Sequence, residues 1–318
     1  MLIGLMVILS TAGLWGFVRY APALGLVDHP NDRSLHGTPT VVGAGVVPVT
    51  LIALYLALTA SFPGAGILAT VLMGLTAMGL ADDRWGLSSS IRFICYLLAG
   101  LILARILLTD YAIVSLSIVL AAVAVAWCMN LYNFMDGADG VAVVQALCVA
   151  VGLGIIAAVG PFEAATLMLW CAVLFASCMP LLWFNWPPAR VFMGDAGAIP
   201  LGYFLAALGL LGLNIDVQLG WVWLILMMPF LVDTGLTLTL RLLAGEPPHV
   251  AHRDHAYQRL ALKMGGALPV TLGLMGMQVA WQFPLAVTVV SSALFPPLLV
   301  LLSAIPSLAA VVYARTRA

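Results

Sequence analysis

Charge is what this chain has least of. Only 8% of its 318 residues are Asp, Glu, Lys or Arg, while 64% are hydrophobic. Soluble domains carry roughly 25% charged residues, so a soluble globular protein is excluded and a polytopic membrane protein is implied. Cysteine is also scarce: Cys95, Cys128, Cys148, Cys171 and Cys178 lie in or beside apolar runs, with no Cys-x-x-Cys pair. They read as packing residues rather than a disulfide or metal framework. Long polar linkers, low-complexity tracts and internal repeats are missing as well, which leaves a single integral membrane domain over 1–318. The first apolar run lacks the basic start and small-residue cleavage site of a signal peptide, so it reads as a retained helix.

What is present is apolar sequence in lengths that cross a bilayer as helices, about 17 to 25 residues each. Such runs fall near 2–19, 41–61, 65–81, 91–108, 112–129, 141–159, 165–183, 197–213, 219–240, 267–282 and 289–312. The expectation is an all-α protein with about eleven transmembrane helices. Ten is the alternative, because Pro284, Pro296, Pro297 and Pro306 crowd the last stretch. With the N-terminus outside, eleven of the twelve Lys and Arg residues fall on the inner side and only Arg105 lies outside. By the positive-inside rule the C-terminus is then cytoplasmic.

The few polar residues are clustered in four islands, at 81–87, 130–140, 184–195 and 249–255. All four fall on the same, inner side. Polar groups are costly beside hydrocarbon, so such clusters mark the candidate active site. Asp82 and Asp83 are adjacent, about 100° apart on a helix, and can serve two directions; a solvated interface pair is the plain alternative. Asn133, Asp136 and Asp139 recur every three residues, a spacing that would place them on one side of a helical turn. Oxygen ligands so grouped suit Mg²⁺, and an Asx-rich cap is the alternative. Asp195 stands at a helix start, where either capping or metal binding would use it, with Phe192 three residues earlier to stack a base. His249, His252, Arg253 and His255 form a basic loop fit to clamp a pyrophosphate, or simply a solvated positive loop. A closed zinc site lacks further ligands.

Taken in order, these islands resemble the polyprenyl-phosphate N-acetylhexosamine-1-phosphate transferase family. Asp28, Pro30, Arg33 and His36 match that family's Asp-x-Pro-x-x-Arg-x-x-His, and Asp82 and Asp83 its Asp-Asp pair. Asn130, Asn133, Asp136 and Asp139 match Asn-x-x-Asn-Phe-x-Asp-Gly-x-Asp-Gly, Asn185, Phe192 and Asp195 the Phe-Asn to Gly-Asp motif, and His252, Arg253 and His255 the final loop. The resemblance implies transfer of a sugar-1-phosphate from a UDP-N-acetylhexosamine to polyprenyl phosphate, releasing UMP. It further implies Mg²⁺, with Mn²⁺ as a substitute, held by Asp195 with Asp136 or Asp139. Asn185 and Phe192 would receive the uridine, and Arg253 and the histidines the pyrophosphate. Asp82 or Asp83 would prepare the lipid phosphate. A bacterial inner-membrane homodimer is implied, together with the branch that initiates O-antigen and related surface glycans. Membrane lipids, not nucleic acid, are its other expected partners.

Two other readings remain at this point. A transporter would use Asp233, inside the ninth span, as its coupling acid. An intramembrane Mg²⁺-dependent prenyltransferase would line its acids along one continuous helix, which Gly137 and Gly140 oppose. This chain also departs from the family pattern in having Val41-Val42 where Pro-Arg is usual. Restoring a cation with Val42→Arg is expected to lower the apparent KM for the UDP-sugar more than it changes kcat, as added ground-state binding does. Steady-state kinetics check this, and an unchanged KM would show that the loop has no such role.

Overall fold

The computed structural model describes residues 1–30, 37–59, 63–108, 114–246 and 252–316, with Val114 and Ser115 described by backbone alone. Among these residues the fold is helical, the exception being a two-residue pair of strands. The helices are α1 Leu2–Tyr20, α2 Val46–Leu58, α3 Ala65–Trp85, α4 Ser89–Leu107, α5 Val114–Phe134, α6 Val141–Val159 and α7 Ala165–Asn185. They continue as α8 Asp195–Ile215, α9 Val217–Leu243, α10 Ala256–Lys263, α11 Ala267–Met277, α12 Phe283–Ser291 and α13 Pro296–Arg315. Strands β1 Val27–Asp28 and β2 Thr40–Val41 pair antiparallel, Val27 opposite Val41.

Ten of these segments are long and apolar enough to cross a membrane. The eleventh expected span is α2, whose 13 residues extend only about 20 Å at 1.5 Å per residue. It nevertheless carries the chain from one end of the bundle to the other. The carboxyl ends of α1, α3, α5, α7 and α9 meet the amino ends of α2, α4, α6, α8 and α11 at a single end, which requires a traverse between α1 and α3. That shared end is recorded in backbone and side-chain bonds such as Gly45 N–H to the Met193 carbonyl, 3.0 Å, and Thr271 Oγ1 to the Asp139 carbonyl, 2.8 Å. The short helix is the reason a count by length gives ten.

The C-terminal helices also differ from expectation. Instead of breaking near Pro284, the chain stays helical from Ala267 to Ser291 and breaks before Pro296. A π-helical turn over Gln278–Gln282 precedes Pro284 and absorbs its missing N–H. Amides inside the bilayer need partners, and here Gln278 donates to Gln145 Oε1 at 2.7 Å and to the Leu226 carbonyl at 2.8 Å, tying this turn to α6 and α9.

Helix α8 is the axis of the bundle, with 89% of its span buried. Small residues let its neighbours close on it: a Cβ on Gly79 of α3 would stand 2.4 Å from the Asp195 carbonyl carbon, and one on Gly45 would stand 2.3 Å from the Gly197 Cα. Large apolar side chains point the other way, among them Ile8, Trp15, Phe93, Leu98, Leu120 and Leu301. They form the surface that lipid would cover.

Thr316 lies at the end of the bundle that gathers the polar islands, since Lys263 Nζ donates to the Tyr313 carbonyl there at 2.9 Å. A reporter fused after Ala318 is therefore expected to share a compartment with those islands and, by the basic-residue split, to report the cytoplasm. Periplasmic signal from that fusion would overturn the orientation.

Candidate active site

The motif residues reach one place because two helices are capped from a distance. Helix α8 starts after Gly194, which has no side chain to cap it and adopts φ 70°. Its first N–H groups are taken by Asp83 of α3: Asp195 N–H donates to Oδ1 at 2.9 Å and Ala196 N–H to Oδ2 at 3.2 Å. An anion at a helix start is favoured by both the orphan donors and the dipole. The capping alternative for Asp195 thus belongs to Asp83, and the Asp195 side chain is left to face the cleft. Asp82, one residue earlier, turns elsewhere, accepting from Leu87 N–H at 2.6 Å and from Arg92 Nη1 at 2.7 Å.

Helix α10 repeats the device. His255 stands at its N-cap but makes no side-chain cap bond. Asp233 of α9 supplies it, accepting from Ala256 N–H at 2.8 Å and Tyr257 N–H at 3.0 Å, with His255 Nδ1 at 3.3 Å. Asp233 is therefore an anchor for the histidine loop, not a carboxylate poised to couple transport. Tyr257 extends the link, donating to the Phe134 carbonyl at 2.8 Å and accepting from Gly137 N–H at 3.1 Å. Arg241 and Arg259 both bind Asp254 from the other side. Burial opposes the Asp254 charge, yet the hydrogen bonds of Arg259 and Arg241 hold its carboxyl below the usual range.

The second island is not one helical face. Helix α5 ends at Phe134, so Asn130 and Asn133 lie on its last turn while Asp136 and Asp139 lie in the turn that follows. Gly140, at φ 77°, completes that turn with a backbone L side chains rarely adopt. Asp139 accordingly points away, accepting from Ala189 N–H at 2.9 Å. Asp136 points inward and accepts from Gly194 N–H. Burial pushes its carboxyl well above the ordinary range, and the charges of Asp195 and Asp83 push it further.

Asn185 holds loops together. Its amide oxygen accepts from Gly140 N–H at 2.9 Å and its nitrogen donates to the Val191 carbonyl at 2.8 Å, which leaves one N–H and one lone pair of the amide for a further partner. Phe192 is partly buried on a main-chain lattice: its N–H donates to the Val41 carbonyl at 2.7 Å and its carbonyl accepts from Ala44 N–H at 3.1 Å. Arg33, His36 and His249 lie outside the described residues.

Between these parts opens a cleft of about 650 Å³. Asp195, Arg92, Asn130, Asn133, His252 and His255 line it, together with the apolar Phe93, Trp127, Phe134 and Leu238. Burial, with the neighbouring His255 and Arg241, pushes the His252 imidazole down to about 4, so it is neutral at pH 7. Its Nδ1 accepts from Asp254 N–H at 3.2 Å, which leaves the proton on Nε2 as a donor. Asp82, Asp83, Asp136 and Asp195 converge, although among the described residues no three His, Cys, Asp or Glu side chains are assembled in ligating reach. The excess of carboxylates over cations is the donor chemistry a hard divalent cation needs.

Residues 65–213 match the family described as glycosyl transferase family 4. That stretch of the chain belongs to this family. It is 28% identical over 267 residues to the "Probable undecaprenyl-phosphate N-acetylglucosaminyl 1-phosphate transferase" of Bacillus subtilis, covering 76% of this chain and 71% of that protein. It is 29% identical over 309 residues to the decaprenyl-phosphate N-acetylglucosaminephosphotransferase of Mycolicibacterium smegmatis, covering 81% of this chain and 74% of the relative. With the Mycobacterium tuberculosis protein of the same name the identity is 30% over 250 residues, and there the chain spans only 58% of the relative.

The family 4 match encloses the aspartate pair and the second and third islands but stops before α10. His252 and His255 are joined to that site by geometry, since they line the same cleft as Asp195, Asn130 and Asn133. Arg92, Asp254 and Tyr257 are site neighbours that the motifs do not flag. For Arg92 a signal existed: Ser88 caps α4, accepting from Ile91 N–H at 3.4 Å, which sets Arg92 one turn into a helix that follows the aspartates.

Asp83 and Asp195 should therefore fail differently when neutralised. Asp83→Asn offers one acceptor oxygen where two now serve α8, so a loss of stability of about 1 kcal/mol is expected, the usual size of a lost cap. Asp195→Asn leaves that cap intact and should keep the wild-type unfolding temperature while transferase turnover collapses. Thermal unfolding in detergent beside turnover separates the two, and near-normal turnover by Asp195→Asn would remove it from the chemistry.

Proposed function

We propose that this family 4 transferase moves N-acetylhexosamine-1-phosphate from a UDP-sugar to polyprenyl phosphate, releasing UMP and starting a lipid-linked cell-envelope glycan. The observation that carries the reading is the make-up of the cleft. It joins Asp195 and Arg92 to His252 and His255 at one end of a membrane bundle, with Phe93, Trp127 and Leu238 as apolar lining. An amphiphilic acceptor fits such a cleft, with its phosphate among the polar groups and its chain beside Phe93, Trp127 and Leu238. The names of the relatives support the same acceptor and sugar class.

In this reading an oxygen of the lipid phosphate forms a bond to the sugar-bearing phosphorus, and the bridging P–O bond breaks with its electron pair leaving on UMP. Two anions must meet, so charge compensation is the main task. Asp195 and Asp136 would hold Mg²⁺, with Asp82 beside them, and the ion when bound supplies charge neutralisation at the phosphates. His252 Nε2–H and His255 offer donors to the diphosphate from across the cleft, and Arg92 offers a guanidinium suited to phosphate oxygens. Asp83, Asp139, Asn185 and Asp233 position these groups. Phe192 remains the candidate platform for the base.

Purified protein given UDP-N-acetylglucosamine should release UMP only when polyprenyl phosphate and a divalent cation are both present, and chelation should abolish it. UMP release without the lipid, or no lipid-linked product from any UDP-N-acetylhexosamine, would refute the assignment.

A further inference from the structure

Four carboxyl groups converge behind the cleft, Asp195 lining it, and they are answered unevenly. Asp83 is met by the start of α8 and Asp136 by Gly194 N–H. Asp82 and Asp195 instead share Arg92: its Nη1 stands 2.7 Å from Asp82 Oδ2 and 3.5 Å from Asp195 Oδ2. A guanidinium beside two carboxyls that are themselves hydrogen-bonded to each other occupies the electrostatic position that a divalent cation would claim. Both guests cannot keep it, because they repel each other and compete for the same oxygens.

Arg92 is also built to leave. It projects from the first turn of α4, its side chain is 30% exposed, and it lines the same cleft as Ser89, Ser90, Phe93 and Tyr96. Rotation about its own side-chain bonds can carry the guanidinium from the carboxylates into the cleft without moving the helix. There the ligand expected is a diphosphate, which the planar fork matches.

We propose that Arg92 is a placeholder cation: it bridges Asp82 and Asp195 while the divalent ion is absent, and on metal binding it is released to grip the diphosphate of the donor. The inference rests on the donor and metal reading above. Its consequence is linkage. A donor that draws Arg92 away tightens metal binding, and metal that displaces Arg92 tightens donor binding by the same factor. The arrangement also keeps Asp82 and Asp195 together before the ion arrives.

The test is Mn²⁺ affinity, followed by the electron paramagnetic resonance of the free ion in detergent-purified protein, with and without UDP-N-acetylglucosamine. Arg92→Gln removes the competing charge, so Mn²⁺ should bind about tenfold more tightly without donor, the effect of one unit charge acting on a divalent ion at about 6 Å through water. Donor should then add less to metal affinity than in the wild type, and donor itself should bind more weakly. Arg92→Lys, which keeps the charge but loses the fork, should lie between and serves if the glutamine variant does not fold. Unchanged or weaker Mn²⁺ binding in the folded variants would overturn the placeholder and leave Arg92 a fixed strut. Wild-type protein that binds Mn²⁺ but no UDP-sugar would instead sink the donor reading itself.

Discussion

The structure depends on a carboxylate lent by one helix to the start of another. Helix α8 runs through the centre of the bundle, and its first N–H groups would be orphaned after Gly194, which has nothing to offer them. Asp83 answers both with its two oxygens, from a helix held close because Gly79 has no side chain to keep the Asp195 backbone away. Remove the close approach and the carboxylate cannot reach. Remove the carboxylate and the first N–H groups of the helix that presents Asp195 lose their partners. Packing and electrostatics are here a single constraint, and Asp195, which lines the cleft, is presented by it.

The same solution at α10 gives the site two walls of like construction. Asp233 ties the histidine loop to α9, and Tyr257 carries the tie on to the turn that holds Asp136. In each case an acid seated at a helix end takes up main-chain donors, and the polar side chain that follows is left facing the cleft. Burying these acids is tolerable because every one named has donors in hand. The site is thus preorganised by groups that do not themselves face the cleft.

Much of this was legible in the sequence, and what was not has physical causes. The apolar runs and the clustering of charge gave the membrane class and placed the islands together, since both follow from the cost of polar groups beside hydrocarbon. The span count was blurred by α2, which is too short to register by length yet crosses because its neighbours do. Period-three spacing suggested one face for Asn133, Asp136 and Asp139, but the helix stops at Phe134 and Gly140 turns the chain, sending Asp139 to Ala189. Roles were harder than places. Asp83, Asn185 and Asp233 look like functional polar residues in a string of letters, and their main-chain partners emerge only in the fold. For Arg92 the Ser88 cap gave only its place in the helix, because its importance lies in what it touches, 10 residues back and 103 residues on.

The loop beside Phe192 has a further consequence. Its hydrogen bonds to residues 41–45 run through main chain: Phe192 N–H to the Val41 carbonyl, Ala44 N–H to the Phe192 carbonyl and Gly45 N–H to the Met193 carbonyl. Amides and carbonyls do not read the side chains they belong to. Residues 41 and 42 can therefore change from charged to aliphatic while Phe192 and the start of α8 stay in register. A protein built this way can alter what it offers a substrate at that edge of the site without disturbing the frame that holds its acids.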